Sequence, residues 1–220
     1  MNQPSVLSTQ AICCSRGSRQ IIRDVSLDLT AGESVALMGP SGCGKTTLLH
    51  LLGLLEAPTL GTVTLDGRDP WLGSSDSRAD LRLARIGFVF QQSNLMPFLT
   101  ARQNVALPAW RYHGSHHRAS AQATELLTRF GLGHRLDTRA GLLSLGEAQR
   151  VATARALVNH PTIILADEPT GSLDSEATKA VLDSLDAIVA QGTALLVATH
   201  DPRVAERAQR IVHMEDGAMV

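Results

Sequence analysis

Continuous apolar runs alternate along this chain with stretches whose apolar residues recur at helical spacing. The runs at Ser34–Met38, Thr162–Ala166 and Ala194–Thr199 predict buried strands. Apolar residues three or four positions apart predict a helix from about Asp174 to Gln191, with Gly192 as its C-cap. Strands that alternate with helices in this way predict a mostly parallel sheet covered by helices on both faces.

Shorter elements precede and follow these runs, and most are separated by turn residues. The predicted strands are Val6–Ile12, Ile21–Leu29, Thr62–Leu65, Ile86–Phe90 and Arg210–Met214, with turns at Ser15–Ser18, Asp66-Gly67 and Glu215–Gly217 and a short helix at Ser77–Arg85. The first two strands are close enough in sequence to pair as an antiparallel hairpin. We therefore expect an antiparallel β subdomain beside the parallel core.

The middle of the chain has a different pattern, which predicts helices only. Thr100 can cap a helix over Ala101–Leu107, and Pro108 is expected to limit it. A polar, His-rich loop is expected at Tyr112–Arg118, followed by a helix at Ala119–Phe130. The sequence thus predicts one domain over residues 1–220, in which 1–94 and 159–220 form the α/β core with its β subdomain and about 95–158 form a helical insert.

Composition narrows the class of protein without naming its activity. The chain has 220 residues, a formal net charge of −1 and 44% hydrophobic residues. This charge gives no general attraction to nucleic acid or to an anionic bilayer. Three cysteines, one of them in a glycine-rich loop, indicate a reducing compartment. The longest apolar run, Leu48–Leu55, is far shorter than the roughly 20 residues of a membrane span, so we expect a cytosolic protein unless a partner holds it at a membrane.

A phosphate-binding motif follows the strand Ser34–Met38. It reads G-x-x-x-x-G-K-T and consists of Gly39, Pro40, Ser41, Gly42, Cys43, Gly44, Lys45 and Thr46. The run Lys45–Leu52, which includes Thr47, has no helix breaker, so the order is strand, glycine loop, helix, as a P-loop requires. Backbone N–H groups at the helix N-terminus favour phosphate, Lys45 would reach the terminal phosphates, and the Thr46 hydroxyl would sit on Mg²⁺. By itself this motif leaves kinases, GTPases and many ATPases open.

Two acidic residues at the end of another strand supply the second half of the predicted site. Asp167 and Glu168 follow the apolar run Thr162–Ala166, at the edge where open α/β sheets bind ligands. Asp167 is placed to hold Mg²⁺ through its water, and Glu168 is free to deprotonate an attacking water. A plain acidic turn is the alternative, but the segment Pro169–Asp174 that follows argues against it.

With that segment the sequence resembles the ATPases of ABC transporters over essentially its whole length. The residues from Asp167 to Asp174 resemble the Walker B motif and D-loop, Gln91 the Q-loop, and His200 the switch histidine. Leu143-Ser144-Leu145-Gly146-Glu147-Ala148-Gln149-Arg150 resembles the signature L-S-G-G-E/Q-x-Q-R, which belongs to this family alone among P-loop proteins.

The resemblance implies a head-to-tail homodimer that binds ATP and Mg²⁺ between its subunits. Ser144 and Gly146, at the start of a helix running to Asn159, would offer donors to the γ-phosphate held by the partner, and Glu147 of the same motif is assigned to the nucleotide contact. His200 would touch that phosphate from within its own subunit. Gln91 would couple the nucleotide state to the helical insert, and it is also assigned to the metal and to the catalytic set. Charge stabilisation and positioning would then arrive only on closure.

Two departures from the family pattern concern these contacts. Leu145 replaces the first signature glycine, and Ala148 stands where glutamine is usual. A bulky side chain there could slow hydrolysis or shift the interface. The family also stacks an aromatic ring on adenine from a loop before the P-loop, but no aromatic residue or histidine occurs before His50 in this chain, and no aromatic residue before Trp71. Arg16 lies near that position, and a guanidinium can stack on a flat ring, so we predict that Arg16 substitutes.

Three other groups of residues have two interpretations each. Cys43 suits packing better than redox sensing. His113, His116 and His117 could bind a metal but lack an acidic or cysteine neighbour in sequence, which favours a solvated loop. Leu95–Leu99 could pack in the core or form a groove for a helix of a membrane partner, and the family resemblance favours the groove.

Within the family, the Asn94–Pro108 stretch, the Asp167–Asp174 motif and the ending Arg210–Gly217 resemble the lipoprotein-releasing, macrolide-exporting and glycolipid-exporting ATPases. These imply a separate permease with a periplasmic domain, often an adaptor protein, and a place at the cytoplasmic face of the inner membrane. The expected function is ATP hydrolysis that drives export or extraction of a lipophilic or peptide cargo. The alternative is a regulatory module that couples ATP binding to a membrane partner without transport. No nucleic-acid partner is expected.

Overall fold

The computed structural model describes residues 5–171 and 173–220 of the chain. Ser172 of the D-loop-like segment therefore lies outside the described residues. In chain order the elements are β1 (Ser5–Arg16), β2 (Arg19–Thr30), β3 (Ser34–Met38), α1 (Lys45–Leu52), β4 (Leu60–Leu65), α2 (Ser75–Arg85), β5 (Ile86–Val89), α3 (Ala101–His113), α4 (His116–Arg129), α5 (Leu145–Leu157), β6 (Ile163–Asp167), α6 (Ser175–Val189), β7 (Ala194–Thr199), α7 (Pro202–Ala205), β8 (Arg210–Glu215) and β9 (Ala218–Met219). Short 3-10 turns occur at Pro70–Leu72, Gly133–Arg135 and Ala140–Leu142.

The central sheet confirms the predicted α/β class. Its strand order is β5-β6-β7-β3-β8-β9, with parallel pairing from β5 through β8 and antiparallel pairing between β8 and β9. All six residues of β7 are buried, because it lies between two strands and beneath helices on both faces. The apolar runs that predicted β3, β6 and β7 are thus explained by burial on both faces of the sheet.

A second, antiparallel sheet has the order β2-β1-β4. The hairpin of β1 and β2 turns at Gly17, which has φ of 61°. β4 ends at Leu65, and the two residues that follow it, Asp66 and Gly67, both have positive φ, as the predicted turn requires. The inner face of this sheet packs Leu7, Ile12 and other apolar side chains against α1 and the central sheet. The expected antiparallel β subdomain is therefore present.

The helices α3, α4 and α5 occupy the stretch between β5 and β6, and the predicted end of α3 is wrong. Pro108 does not limit α3, which continues to His113. A proline inside a helix removes one backbone hydrogen bond. Here the helix continues because Val105 and Ala109, on either side of Pro108, are fully buried. Asn159 Nδ2 also donates to the Pro108 carbonyl at 3.3 Å. Tertiary packing outweighs the local preference.

The His-rich loop expected at Tyr112–Arg118 is reduced to Gly114 and Ser115. Gly114 ends α3 in the left-handed region, and the Ser115 hydroxyl accepts from the N–H of Arg118 to cap α4, which begins at His116. The indole of Trp110 stacks on the ring of His116 at 4.2 Å between centroids. Gly192 is likewise not the C-cap of α6; that residue is Ala190, and Gly192 forms the turn that follows with φ of 98°.

The sheet order brings four sequence motifs to one edge. Strands β5, β6, β7 and β3 are consecutive neighbours, and their carboxyl ends lead to Gln91, to Asp167 and Glu168, to His200 and to the P-loop respectively. In a parallel sheet these ends lie at the same edge, where ligands bind. No described helix has the length and apolar character of a bilayer span.

Candidate functional site

The P-loop connects β3 to α1 and has the backbone geometry that its glycines allow. Gly42 and Gly44 have φ of 81° and 113°, values that favour glycine. A Cβ at Gly39 would lie 2.2 Å from the carbonyl oxygen of Met214, so no larger residue fits there. The loop therefore presents backbone N–H groups at the start of α1, as a phosphate site requires.

The side chain of Lys45 lies along the inside of this loop. Its Nζ donates to the carbonyl oxygen of Gly39 at 2.7 Å and to that of Pro40 at 3.1 Å, and the residue is buried. The ammonium group is held by carbonyls and not by a carboxylate. A phosphate that reaches the loop thus meets a positive charge that no described acidic side chain neutralises.

The two residues predicted to hold the metal are hydrogen-bonded to each other. Thr46 Oγ1 donates to Asp167 Oδ2 at 2.7 Å, which joins α1 to the end of β6. A hydroxyl beside a carboxylate is an oxygen donor set of the kind that Mg²⁺ takes together with phosphate oxygens. The residues present therefore fit a magnesium ion.

Glu168 and His200 form the second pair at this edge. His200 Nδ1 and Glu168 Oε1 are 2.7 Å apart, and Thr199 Oγ1 donates to Glu168 Oε2 at 3.4 Å. Glu168 has φ of 44°, in the left-handed region that costs a non-glycine residue free energy. Its backbone is held there by the bond from Glu168 N to the Ala198 carbonyl at 2.9 Å.

A cavity of about 440 Å³ collects these predicted residues. Its lining residues are Ile21, Ser41, Gly42, Gly44, Lys45, Thr46, Thr47, Gln91, Asp167, Glu168 and His200. Gln91 lies close to the loop after Glu168, since a Cβ at Gly171 would be 3.4 Å from Gln91 Nε2. The structure thus brings together the P-loop, Asp167, Glu168, His200 and Gln91.

The signature motif lies outside that cavity, at the start of α5. Ser144 caps the helix: its Oγ accepts from Glu147 N, and Glu147 Oε2 accepts from Ser144 N at 2.9 Å. This backbone N–H, with the Arg135 guanidinium at 2.8 Å, lowers the pKa of the Glu147 carboxyl. Gly146 lies against α6, where a Cβ would approach that of Ala177 to 2.8 Å, and Leu145 is 68% exposed.

Arg16, predicted to stack on adenine, is held by a carboxylate. Its guanidinium pairs with Glu56 at 2.7 Å, and this hydrogen bond lowers the pKa of the Glu56 carboxyl. Arg16 is exposed and is not among the residues that line the cavity. The stacking role stays a prediction, and Glu56 competes with it for the guanidinium.

Residues that the sequence did not single out also contribute. Ile21 lines the cavity from β2, and Thr199 contacts Glu168. Gln149 and Arg155 of α5 bind backbone carbonyls next to Gln91. Among these residues, only Gln149 could have been noticed in the sequence, because it belongs to the signature motif. The other contacts join residues far apart in sequence.

The structure also places the other candidates from the sequence, which are Cys43 and three histidines. Cys43 is buried beside Gly39, and its carbonyl accepts from Gly217 N at 2.9 Å, which agrees with a packing role. His113 and His116 lie at the facing ends of α3 and α4, and His117 follows in α4. Within the described residues no group of three or more His, Cys, Asp or Glu side chains is arranged to hold a metal ion.

The comparison with known families agrees with this geometry. The model of the ABC transporter family matches residues 22–171, which include the P-loop, Gln91, the signature and the two acidic residues. The chain belongs to the ABC transporter family. It is an ATP-binding and ATP-hydrolysing cassette of that family, and the predicted P-loop ATPase fold and activity are confirmed.

Relatives of two kinds are similar to this ABC cassette. The lipoprotein-releasing system ATP-binding protein LolD 2 of Caulobacter vibrioides is 46% identical over 91% of this chain and 89% of its own length. The macrolide export ATP-binding/permease protein MacB of Campylobacter jejuni is 42% identical over 95% of this chain, which spans only 33% of that protein. The predicted group within the family is thereby confirmed.

The fold is also similar to that of a solved structure. The dimeric post-hydrolysis structure of the ATP-binding cassette MJ0796, bound to ADP and Pi, superposes with a TM-score of 0.89 at 36% identity and covers 97% of this chain and 96% of that one. A cassette of this fold is therefore known to form a dimer around nucleotide.

Proposed function

We propose that two copies of this chain bind two ATP molecules head to tail, and that this closure drives a membrane permease. One observation carries the proposal. The signature residues Ser144, Gly146 and Glu147 are absent from the lining of their own subunit's cavity, and Leu145 beside them is exposed. A motif that is assigned to phosphate but lies outside the cavity of its own P-loop fits the site of a second copy. The dimeric structures of a similar cassette support this arrangement.

Within each site the residues have distinct tasks. Backbone N–H groups of Gly42 and Gly44 and the ammonium of Lys45 hold the phosphates. The Thr46 hydroxyl, Asp167 and Gln91 would hold Mg²⁺, which neutralises charge on the phosphate oxygens when it is bound.

The chemistry then depends on Glu168. Its carboxylate accepts a proton from the attacking water, and general bases of this kind contribute roughly 10²–10⁴ in rate. His200 is hydrogen-bonded to the same carboxylate at 2.7 Å, which orients the carboxylate. The imidazole would also contact the γ-phosphate of ATP bound in the same subunit. The hydroxyl of Ser144 from the other copy supplies a further donor to that phosphate.

A second groove, lined in part by Phe90 and Asn94, suits the permease. It has a volume of about 500 Å³ and lies between α2, β5, α3 and α5, with Phe90, Leu107 and Pro108 among its walls. Beside it, the segment Leu95–Leu99 exposes Met96 and 70% of Phe98. An amphipathic helix of a membrane protein would bury these apolar side chains. The cassette would then lie at the cytoplasmic face of the inner membrane.

The names of the relatives indicate the kind of transporter. One kind is named for lipoprotein release and the other for macrolide export. We infer that this chain energises export or extraction of a lipophilic or peptide cargo, with a permease that carries a periplasmic domain and with an adaptor protein. No nucleic-acid partner is proposed.

Leu145 supports a second candidate, an ATP-dependent switch without transport. Its exposed side chain stands where the two copies would meet, so closure could be stable while hydrolysis is slow. The two functions differ in turnover with the membrane partner present.

The test is ATP hydrolysis by the chain alone and after reconstitution with its permease in proteoliposomes. Export predicts that the permease stimulates turnover and that Phe98→Ala removes this stimulation while leaving the turnover of the isolated chain unchanged. Leu72→Ala is the matched control, because Leu72 is 88% exposed in a 3-10 turn outside the groove. If the reconstituted complex binds nucleotide but hydrolyses ATP no faster than the chain alone, the result would contradict export and support the switch.

A further inference from the structure

The backbone that follows β5 is fastened to α5 by side chains. Gln149 Nε2 donates to the carbonyl oxygen of Phe90 at 2.9 Å. The guanidinium of Arg155 donates to the carbonyl oxygens of Ser93 at 2.8 Å and Asn94 at 2.7 Å. These three bonds bracket Gln91 on both sides.

Arg155 is a charged side chain whose hydrogen bonds go to the backbone. It takes part in none of the ion pairs between described residues, so two backbone carbonyls receive its charge. Burial lowers the pKa of this guanidinium, in keeping with its removal from water. Hydrogen bonds from a charged donor are about twice as strong as neutral ones. Asn94 has φ of 47°, a conformation that such bonds can hold in place.

The segment of residues 90–94, which these bonds hold against α5, also contributes to the candidate site. Gln91 lines the cavity, and its amide approaches Gly171 in the loop after Glu168. Gly171 N donates to the Glu168 carbonyl at 3.1 Å, so this loop belongs to the same turn as the predicted base. A shift of the segment would therefore move Gln91 relative to Glu168.

The same helix carries the signature. α5 begins one residue after Ser144, and Gln149 and Arg155 lie on it five and eleven positions further along. Thirteen helical residues behave as one stiff rod. Any displacement of Ser144 along or about this axis is carried to Gln149 and Arg155.

We propose that Gln149 and Arg155 are positioning residues that link the two ATP sites of the dimer. When Ser144 engages the nucleotide of the partner, α5 moves as a unit, and its bonds to residues 90–94 set Gln91 in the chain's own site. Each subunit's hydrolysis thereby depends on capture of the other subunit's ATP. The linking step rests on the proposed dimer, whereas the fastening of the segment does not.

The test combines hydrogen exchange with kinetics on the full chain. Arg155→Met removes the donors but keeps the aliphatic stem, Arg155→Lys keeps the charge, and Gln149→Met removes the amide donor. Arg102→Met is the matched control, since Arg102 lies on α3 and pairs with Asp137, away from residues 90–94. Amide exchange is followed in a peptide covering residues 86–95, without nucleotide and with saturating ATP in the Glu168→Gln background.

We expect Arg155→Met and Gln149→Met to speed exchange in this peptide roughly ten- to a hundredfold without nucleotide, as the loss of buried or charged hydrogen bonds predicts. Turnover should fall up to about a hundredfold with ATP affinity unchanged, because misplacement of about 1 Å costs that much. Arg155→Lys should recover part of both losses, and Arg102→Met should change neither. If Arg155→Met does not fold, Arg155→Lys and Gln149→Met decide the matter.

Unchanged exchange at 86–95 in folded variants would overturn the proposal, as would a fall in ATP affinity that matches the fall in turnover. If the proposed dimer does not form, the experiment gives a different result. In that case ATP adds no protection to this peptide in the Glu168→Gln chain itself, while the difference between variants without nucleotide persists.

Discussion

His200 Nδ1 lies 2.7 Å from Glu168 Oε1, which makes the histidine the direct neighbour of the predicted general base. The two residues come from adjacent strands, β7 and β6, and Thr199 contacts the other carboxylate oxygen. The carboxylate is thus oriented from both sides toward the cavity. Its orientation should matter for the reaction and little for nucleotide binding.

His200→Ala should therefore lower turnover, by at most the roughly 10²–10⁴-fold that the general base it orients contributes, while ATP affinity stays within about twofold of the wild type. Steady-state hydrolysis and equilibrium titration with an ATP analogue measure the two quantities. His200→Gln keeps a hydrogen-bonding group and should retain more activity. Loss of affinity in step with turnover would mean that His200 mainly holds nucleotide.

Leu145→Gly should raise the rate of hydrolysis. Leu145 is exposed at the first residue of α5, beside Ser144, and its side chain stands where the family has only backbone. Removing it allows closer approach of the two copies. Turnover of the variant is compared with that of Leu142→Gly, which truncates another exposed leucine just before the signature. An equal or lower rate for Leu145→Gly would show that this side chain does not inhibit.

Arg16→Ala should weaken ATP binding by roughly two- to fivefold, the size of an exposed interaction between a guanidinium and an aromatic ring. The affinity for inorganic triphosphate, which has no base, should not change. Glu56→Gln releases Arg16 from its carboxylate and should leave ATP affinity equal or higher. Equal ATP affinity of Arg16→Ala and wild type would assign Arg16 to its pairing with Glu56 alone.

Glu147 should stabilise the cassette only where its carboxyl is ionised. Its pKa is lowered by the Ser144 N–H and by Arg135, so the contribution is fully present above the ordinary glutamate value of about 4.3 and is lost as pH falls through the folded-state value. Glu147→Ala should cost about 1 kcal/mol at neutral pH, or about 2–4 °C in Tm, and the difference from wild type should shrink in acid. Glu147→Gln keeps the capping acceptor and should cost less. A difference that does not depend on pH would contradict the ion-pair account.

The sequence predicted the parts of the molecule that are encoded locally. The P-loop, Asp167, Glu168 and His200 each follow a short apolar run, and the strand order places these runs side by side. The path of α3 through Pro108 could not be predicted in this way, because burial of Val105 and Ala109 decides it. The same holds for the bonds from Arg155 to Ser93 and Asn94, which join residues about 60 positions apart in sequence and leave no local pattern.

The pairing of Arg16 with Glu56 is another long-range contact that the sequence could not predict. The sequence placed Arg16 near an expected adenine site, but nothing local indicated that a carboxylate 40 positions away would hold it. Motifs report the groups that chemistry needs, whereas the partners that orient those groups come from tertiary structure.

The central claim is that ATP joins two copies through the signature, and the mass of the Glu168→Gln chain in ATP tests it most directly. This variant should bind ATP without turnover, and light scattering should give twice the mass of the chain. Adding Lys45→Ala should return the single-chain mass, because the phosphates lose their cation. Ser144→Asp is the sharpest control: aspartate caps a helix as well as serine does, but it places a negative charge against the phosphate of the partner. The account predicts a dimer for Glu168→Gln and a monomer when Ser144→Asp is added. A dimer with Ser144→Asp, or a monomer of Glu168→Gln in saturating ATP, would contradict it.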